Sequence, residues 1–526
     1  MRLFYILGLV LTGVCAPADN TQILNSNVDA FINGVLADWN SAAGAAVAVV
    51  HLDGQGGWLI ETKGYGIAKG DGTKVGPDTI FSLGSNSKAS SLSHWSFDLE
   101  PELEPQISWT TKIASVIPDW KLMDPVASSE STITDLMGHC RVTISPIASP
   151  TTFCHWQVKR LRYLKPSTGF RENPQYNNIM YAVLSHLPTA LLPHKPPFAR
   201  YVKEHIPEPL GLNPTTHSFA VTNATGNFAV GFAREGINVS ENPVGAGTTR
   251  VLPYFLPNVT EDGNGGVLSS AVDIARWLQM LLLKGQHLIT NATIIPADMI
   301  QKVATGITVW EGTADTPELS PVVYGGRTQV QSSYRGHVMI EHGGDVEGFP
   351  SQITRFPNDG LGVAVLTNDD AFGTLFKEVI KYRIVDEVFG LPVSQFAAGA
   401  ARPSNPTPPA QPLAALAWTY RNLGYGADIE LCATGKVAAS YVTLAHFDGA
   451  LFNVSGWIAT ATGNASAPYW AYDAGLEGNT AQFAFGTGGA VQGFGITGGI
   501  WGAGSVEGEP QGAGVEGMSE VWFAVV

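Results

Sequence analysis

The sequence predicts an α+β domain at residues 20–395 and a separate all-β module at residues 413–526. Two apolar hairpins, one within residues 46–65 and one within residues 351–366, predict antiparallel strands. Segments of helical periodicity lie between and beside these hairpins. A proline-rich linker at residues 396–412 then separates them from a remainder that is rich in glycine, aromatic residues and alternating strands.

The composition is that of a globular protein with an acidic charge balance. The 526 residues suggest more than one domain, and a hydrophobic content of 44% is enough for a sizeable core. Only 14% of the residues are charged, and the net charge is -15. This balance argues against a nucleic acid as a partner and against binding to anionic membranes.

Residues 1–16 are typical of a secretory signal peptide. Arg2 supplies the positive charge, and an apolar run from Leu3 to Val14 leads to the small residue Ala16. The run is too short to span a bilayer, and an uncleaved anchor is the alternative interpretation. The sequence therefore predicts a secreted, extracellular protein that has no membrane association once the signal is removed.

Six Asn-x-Ser/Thr sequons agree with secretion and predict a glycoprotein. They begin at Asn223, Asn238, Asn258, Asn291, Asn453 and Asn464. Cys15 would leave with the signal, so Cys140, Cys154 and Cys432 remain. A disulfide between Cys140 and Cys154 could close a short loop in an oxidising compartment, and no cysteine spacing is typical of a metal site.

The elements of the first domain follow from periodicity and turn signals. Apolar residues recur at helical spacing within residues 21–40, and the runs Ala46–Val50 and Trp58–Tyr65 predict a hairpin. A strand at Val338–His342 should stop at the glycines that follow it. Further helices are predicted at 179–187, 199–212, about 270–283 and about 372–389, and a second hairpin joins Ser351–Phe356 to Gly362–Leu366 through Pro357–Gly360.

The segment Phe81–Lys88 carries the first chemical signal. Ser85 and Lys88 are three residues apart, so they would share one face of a helix that starts here. A serine becomes a nucleophile at neutral pH only beside a base, such as a lysine with a depressed pKa. S-x-x-K arises by chance roughly twice in a chain of this length, and an ordinary helix start is the simpler interpretation. Lys88 is, however, the only lysine with a serine three positions before it.

Two further segments supply the partners that such a nucleophile needs. Tyr176 and Asn178 offer a phenol and an amide, and His342-Gly343-Gly344 offers an imidazole and a strand edge that a substrate can approach. An acyl-transfer site needs a nucleophile, a proton shuttle and donors for the developing oxyanion. Each residue alone has a simpler interpretation. Tyr176 could be a core tyrosine, Asn178 a helix cap, and His342 a histidine whose hydrogen bonds are satisfied at the end of a strand. Their joint occurrence favours a site.

The order S-x-x-K, Y-x-N and H-x-G resembles the serine β-lactamase-like, penicillin-binding-protein superfamily (peptidase family S12, class C β-lactamase type). Phe81–Lys88 is similar to the nucleophile segment of that family, Gly265–Trp277 to its recurring late helix, and Glu341–Phe349 to its third box. The resemblance covers about residues 25–392. It implies a helical cluster packed on a mixed α/β part with an antiparallel sheet. Thr419–Gly426 resembles the lipocalin-like C-terminal domain of some fungal members, which implies a β-barrel.

The resemblance also implies a role for each residue of the site. Ser85 would attack an amide, lactam or ester carbonyl, and Lys88 and Tyr176 would pass its proton to the leaving group. His342 would assist Tyr176 or a substrate carboxylate. The other implied contributions are a substrate-amide contact from Asn178, an oxyanion hole from the N–H groups of Ser85 and Asp345, and a strand edge at Gly343 and Gly344. No metal or organic cofactor is implied, and the partner would be a small-molecule or peptide substrate.

The resulting hypothesis is a secreted serine hydrolase that works through an acyl-enzyme. The alternative from another class is a catalytically inactive secreted glycoprotein that keeps the fold as a binding module. An esterase with a nucleophile elbow is disfavoured because G-x-S-x-G does not occur in the chain. A metallohydrolase is disfavoured because H-E-x-x-H does not occur either.

Two stretches, residues 91–106 and 138–158, depart from the family pattern. Members of the family continue past S-x-x-K with an apolar helix, whereas this chain has acidic residues with prolines at 101 and 105. A Ser-His-x-x-Gly-Leu-Pro turn is replaced by Met137–Thr143. We hypothesise that both stretches are miscopied or frame-shifted relative to a working relative, and an intact family-like transcript would support this. The histidines without a partner pattern are predicted to be structural: His139, His155 and His337.

Overall fold

A computed structural model describes most of the first domain and the strands of the C-terminal part. The described residues are 22–53, 55–90, 107–139, 155–166, 169–172, 174–235, 248–254, 263–312, 318–320, 322–392, 416, 418–423, 429–433, 441–446, 450–458, 468–472, 478–486, 488–497, 514–519 and 521–526. The predicted signal peptide, the Pro-rich linker, the Cys140–Cys154 pair and the irregular stretch 91–106 lie outside them, as does most of the second irregular stretch.

The described strands of the first domain range in length from three to nine residues. They are β1 (Gly44–Leu52), β2 (Trp58–Gly66), β3 (Ile80–Ser82), β4 (Gly231–Glu235), β5 (Thr248–Leu252), β6 (Leu268–Ser270), β7 (Thr308–Glu311), β8 (Val323–Gly325), β9 (Val330–Tyr334), β10 (His337–Gly344), β11 (Ser351–Phe356) and β12 (Leu361–Thr367). Both predicted hairpins are confirmed. The strand predicted to stop before the glycines continues through Gly344, because these residues still pair with β11.

An antiparallel sheet of eight strands forms the centre of the domain, in the order β2-β1-β12-β11-β10-β9-β8-β7. β1 is buried on both faces, with Ala45, Val47 and Val49 in one apolar cluster and the alternating alanines and Val50 in another. A strand covered on both sides must be apolar throughout, which explains the uninterrupted hydrophobic run of the sequence. The sheet and its flanking helices confirm the predicted α+β class.

The helices cover the sheet and form a separate cluster beside it. They are α1 (Ser26–Asp38), α2 (Ile113–Val116), α3 (Pro125–Glu130), α4 (Ile133–Met137), α5 (His155–Arg160), α6 (Asn178–Ser185), α7 (Leu187–Leu191), α8 (Phe198–His205), α9 (Pro207–Leu210), α10 (Phe219–Ala224), α11 (Ala271–Leu282), α12 (Ala297–Ala304), α13 (Gly373–Phe389) and α14 (Gly514–Met518). α1 and α13 share one buried cluster with one face of the sheet, whereas α11 packs on the other face. The predicted helix at 199–212 is divided between α8 and α9.

Local capping explains where several of these helices begin. The Ser270 side chain accepts a hydrogen bond from the Asp273 amide and starts α11, as the sequence predicts. The Asn177 side chain accepts from the amides of Ile179 and Met180 and starts α6. The two caps lie at the ends of β6 and of the loop before α6. Both of these segments border the site.

The described residues of the C-terminal part form eight strands and the short helix α14. The strands are β13 (Thr419–Arg421), β14 (Ile429–Ala433), β15 (Tyr441–His446), β16 (Ala450–Ile458), β17 (Pro468–Tyr472), β18 (Gly478–Phe485), β19 (Val491–Thr497) and β20 (Val521–Val525). Each strand pairs antiparallel with the next, and β20 also pairs with β13. The likeness of this part to lipocalins stays a prediction. Across the described chain, no helix has the length and apolar character needed to cross a bilayer.

Candidate active site

The segment that carries Ser85 and Lys88 follows a short strand pair at the edge of the helical cluster. β3 pairs with β6, and the chain then forms a 3₁₀-helical turn over residues 84–90. A 3₁₀ helix has three residues per turn, so side chains three positions apart lie directly above one another. The Lys88 Nζ accordingly lies 2.9 Å from the Ser85 Oγ. The predicted helix start is therefore present, in the tighter 3₁₀ form.

The Lys88 amine is buried among uncharged oxygen atoms. Its side chain has no exposed surface, and its Nζ donates to the Asn178 Oδ1 at 2.6 Å and to the Asn264 carbonyl oxygen at 3.0 Å. Burial, with no carboxylate bonded to the amine among the described residues, disfavours the ammonium form and lowers the pKa of Lys88 well below its ordinary value. An uncharged amine next to a serine hydroxyl can accept the proton of that hydroxyl.

Tyr176, which immediately precedes the N-cap of α6, lies beside both Ser85 and Lys88. Its hydroxyl forms a hydrogen bond with Ser85, and its ring centroid is 4.5 Å from the Lys88 Nζ. Burial raises the pKa of Tyr176, so the phenol keeps its proton at neutral pH. Ser85 is thus in contact with two groups that can exchange a proton with it, an amine and a phenol.

His139 supports the other face of the tyrosine ring. The two rings stack with centroids 4.5 Å apart and an interplanar angle of 26°. The His139 Nδ1 accepts a hydrogen bond from the Asn177 amide, and its carbonyl oxygen accepts one from the Gln175 amide. Burial, reinforced by Lys88 and His342, lowers the pKa of His139 well below its ordinary value. His139 therefore holds the loop that presents Tyr176.

His342 lies on β10 at the point where that strand loses one neighbour. The pairing of β9 with β10 ends at Glu341, so residues 342–344 pair only with β11 among the described strands. The His342 Nδ1 lies 2.5 Å from the Gly343 carbonyl oxygen, which can only accept, so this nitrogen carries the proton. Burial, with a smaller contribution from Lys88, lowers the pKa of His342 to about 4.

Glycines allow the strand edge to touch the nucleophile segment backbone to backbone. A Cβ atom on Gly344 would lie 2.0 Å from the Leu83 carbonyl oxygen, and one on Gly84 would lie 2.8 Å from the Asp345 nitrogen. Gly84 also has a φ of 51°, in the left-handed region. The amide of Asp345 and the segment of Ser85 therefore border the same small space.

The Asp345 side chain points away from that space. One carboxylate oxygen accepts from the Lys377 Nζ at 2.8 Å, and the other accepts from the Thr374 Oγ1 at 2.8 Å. Lys377 and Thr374 belong to α13, on the far side of the strand. This helix therefore fixes the orientation of the peptide between Gly344 and Asp345.

A cavity of about 420 Å³ opens against Tyr176 and His342. Its wall is mixed, with aromatic and apolar residues such as Trp310, Leu319 and Tyr382 beside polar ones such as Gln329 and Gln352. A second cavity of about 410 Å³ adjoins the opposite side of the nucleophile segment and is lined by residues of α8, α10 and α11. The first cavity is the one that meets the residues of the predicted site.

The structure brings all eight sequence-predicted site residues into one region: Ser85, Lys88, Tyr176, Asn178, His342, Gly343, Gly344 and Asp345. Sequence reasoning missed His139, Trp310, Asn264 and Lys377. Their positions follow from contacts between distant segments, and no local pattern in the sequence marks them. His139, predicted to be structural, stacks on Tyr176. His337, in contrast, pairs with Asp359 and stacks on Phe389, away from the site.

An antiparallel sheet beside a helical cluster, with S-x-x-K at the start of a buried helical turn, is the arrangement of penicillin-recognising serine enzymes. The β-lactamase family profile matches residues 36–384, and the chain belongs to this family. Unguisins hydrolase ungD from Aspergillus violaceofuscus (strain CBS 115571) is 27% identical over 473 residues, which cover 81% of this chain and 80% of that protein.

Two solved structures have the same fold. The octameric penicillin-binding protein homologue from Pyrococcus abyssi superposes with a TM-score of 0.55 at 16% identity, covering 95% of this chain and 99% of that chain. The class C β-lactamase from Rhodobacter sphaeroides superposes with a TM-score of 0.51 at 20% identity, covering 69% of this chain and all of that chain. The first-domain fold implied by the sequence resemblance is therefore confirmed.

Proposed function

We propose that this protein is a serine hydrolase that forms an acyl-enzyme on Ser85 with an amide, lactam or ester substrate. The observation that carries the proposal is the Lys88 amine, fully buried, with a depressed pKa and 2.9 Å from the Ser85 hydroxyl. A buried lysine with no anionic partner among the described residues does not stabilise the fold, because burial of an amine costs free energy. The role that we propose for Lys88 is therefore removal of the proton of Ser85.

In the proposed mechanism, Lys88 accepts the proton of Ser85 as the serine oxygen attacks the substrate carbonyl. Tyr176 keeps its proton at neutral pH and can deliver it to the leaving group, and Lys88 then returns to the phenolate the proton that it took from Ser85. His342, uncharged and at a ring-centroid distance of 6.1 Å from Tyr176, orients the phenol or the substrate. A water molecule then attacks the acyl carbon while Tyr176 and Lys88 take one of its protons, the bond from the acyl carbon to the Ser85 oxygen breaks, and that proton returns to Ser85.

The remaining site residues would bind the substrate. The amides of Ser85 and Asp345 border one space and suit an oxyanion hole, since a developing negative charge is stabilised by preorganised N–H groups. Gly343 and Gly344 leave the edge of β10 open to a substrate backbone. Asn178 holds Lys88 and can also contact a substrate amide. The name of the fungal relative, a hydrolase of unguisins, supports hydrolysis as the reaction.

Secretion, glycosylation and the domain boundaries belong to the same proposal. Residues 1–16 would be the signal peptide, followed by the hydrolase domain at 20–395, the linker at 396–412 and a lipocalin-like domain at 413–526. Two of the sequons, at Asn223 and Asn291, lie at exposed positions and would be accessible to a glycosyltransferase. Treatment of the secreted protein with a glycosidase and N-terminal sequencing would test these features.

The direct test is the intact mass of the secreted protein after incubation with a fluorophosphonate, beside Ser85→Ala. An adduct on the wild type that is absent from the variant is expected. Ser87→Ala is the matched control, because Ser87 lies in the same turn but its hydroxyl oxygen accepts a hydrogen bond from the Val267 amide. Folded wild-type protein without an adduct would instead favour the inactive binding module, which is otherwise the less favoured function.

A further inference from the structure

The cavity beside Tyr176 and His342 has an unusual distribution of charge for a site of this kind. Among the described residues that line it there is no lysine or arginine, whereas two carboxylates, Glu341 and Glu378, are present. The wall also contains the rings of Trp310, Tyr176 and Tyr382. An anionic group that entered this space would leave water without gaining a cationic partner.

Two described lysines behind the cavity wall, Lys381 and Lys377, are already engaged in ion pairs. Lys381 is fully buried and donates to Glu341 at 2.9 Å and to Glu378 at 2.6 Å. Lys377 is occupied by the Asp345 carboxylate behind β10. A buried ion pair is costly to break, because removal of one partner leaves the other charge uncompensated. Neither lysine is therefore available to a substrate.

Lys88 and Arg250 are no better placed to bind an anion. Lys88 directs its amine to Ser85, Asn178 and Asn264, and its burial favours the uncharged form. Arg250 lies near two carboxylates, those of Glu347 and Asp370, on the loops that follow β10 and β12.

His342 presents a hydrogen-bond acceptor to the cavity. Its Nδ1 proton is directed to the Gly343 carbonyl oxygen, so the uncharged ring has its lone pair on Nε2. An Nε2 lone pair accepts from an N–H or O–H group and repels a carboxylate. Burial is the main cause that keeps the ring uncharged, and the charge of Lys377 also opposes protonation, which outweighs the opposite effects of the Gly343 carbonyl and Glu341 on the pKa of His342.

From this arrangement we infer that the enzyme prefers uncharged substrates, namely amides or esters with an aromatic or apolar group and no carboxylate next to the scissile bond. The inference rests on the proposed hydrolase function and narrows its substrate class. Peptide amides, internal peptide bonds and neutral esters satisfy the condition. Penicillins and peptides cleaved next to a free terminal carboxylate do not, because the carboxylate would be buried beside an acceptor and beside two glutamates that share the single cation Lys381.

A matched pair of chromogenic esters tests the inference. 3-Carboxy-4-nitrophenyl phenylacetate and its methyl-ester derivative share the scissile bond and the acyl group and differ in one negative charge on the leaving group. After correction for hydrolysis in buffer, kcat/KM should favour the neutral ester by at least about tenfold, since like-charge contacts and unpaired buried charges are strongly unfavourable. Equal values, or a preference for the carboxylate, would overturn the inference.

Two variants show whether the cavity charges cause the preference. His342→Lys should reduce the ratio of the two kcat/KM values, because it adds a cation where the wild type has an acceptor. Glu378→Gln should reduce the ratio by about twofold or more, because it removes one carboxylate from the wall. Glu208→Gln removes an exposed carboxylate outside the cavity and should leave the ratio unchanged. A ratio that stays at the wild-type value in both cavity variants would contradict the assigned cause.

Fluorophosphonate labelling of Ser85 separates this inference from the proposed function. Labelled protein with no discrimination between the esters would overturn only the substrate class. Folded protein that is neither labelled nor active on either ester would overturn the proposed hydrolase and the substrate class together.

Discussion

The Lys88→Met variant tests whether the buried amine is uncharged in the folded protein. The side chain of Lys88 is fully buried, and its Nζ donates to the uncharged oxygens of Ser85, Asn178 and Asn264. Burial holds the pKa of Lys88 well below its ordinary value. Methionine has a similar length and no proton to exchange, so it removes the protonation equilibrium with a small change in packing.

The depressed pKa makes the stability of the wild type depend on pH in one direction. In the unfolded chain Lys88 keeps its proton up to its ordinary pKa of 10.5, whereas the folded protein releases it at a lower pH. Between the two pKa values the unfolded state binds one more proton, so the free energy of unfolding rises by about 1.4 kcal/mol per pH unit. Lys88→Met lacks this contribution. The wild type should therefore gain about 1.4 kcal/mol on the variant for each pH unit between the lowered pKa of the folded protein and about pH 10.

Urea unfolding of both proteins at about pH 8, 9 and 10 measures the difference. Lys74→Met, at an exposed position, controls for the loss of one amine. Parallel pH profiles for the wild type and Lys88→Met would show that the lysine stays charged in the folded protein, and the proposed base would be refuted. Lys88→Met should also slow acylation of Ser85 by about 10²- to 10⁴-fold, as is typical for removal of a general base.

Three further variants probe the surroundings of the site. His342→Gln should gain stability relative to the wild type as the pH falls, because the wild-type imidazole has a pKa of about 4 while the unfolded chain takes up its proton near 6.5. Urea unfolding should show a relative gain that approaches about 3 kcal/mol at pH 4, and a gain independent of pH would contradict this. Gly344→Ala should destabilise the protein by about 1–3 kcal/mol and slow fluorophosphonate labelling, because its Cβ would lie 2.0 Å from the Leu83 carbonyl oxygen. Thermal unfolding would compare it with Gly312→Ala, where nothing lies within 4 Å, and equal melting temperatures would count against the argument. His139→Ala should lower kcat by about tenfold or more through a displaced Tyr176. His139→Asn keeps an acceptor and tolerates the positive φ of 52° at this position, so it should recover part of the rate, and an equal loss in both variants would point to a purely structural role.

Elements with strong local signals could be predicted from the sequence. α11 begins after Ser270 as predicted, and the turn at 357–360 joins β11 to β12 in the expected register. These features depend on residues within one turn of one another, so a short window contains the information. The split between α8 and α9 was missed, because propensity alone does not decide where two short helices separate.

The irregular stretches show a different limit of prediction. Residues 91–106 lie outside the described residues, and the hypothesis of a frame shift there stays a prediction. The turn that precedes residues 91–106 is held against Val267 by two hydrogen bonds. The Leu83 amide donates to the Val267 carbonyl oxygen, and the Ser87 hydroxyl oxygen accepts from the Val267 amide. The position of Lys88 is therefore fixed by the neighbouring strand pair, which the sequence analysis did not anticipate.

The sequence by itself determined the chemical groups of the candidate site and the spacing of Ser85 and Lys88, because residues three apart meet in any helical turn. Only the tertiary structure decided that His139 stacks on Tyr176, that Lys377 fixes Asp345 from behind the strand, and that the cavity has no free cation among its described lining residues. The same is true of the charge states of Lys88 and His342. A pKa depends on burial and on neighbours brought together from distant parts of the chain, and these are properties of the folded protein.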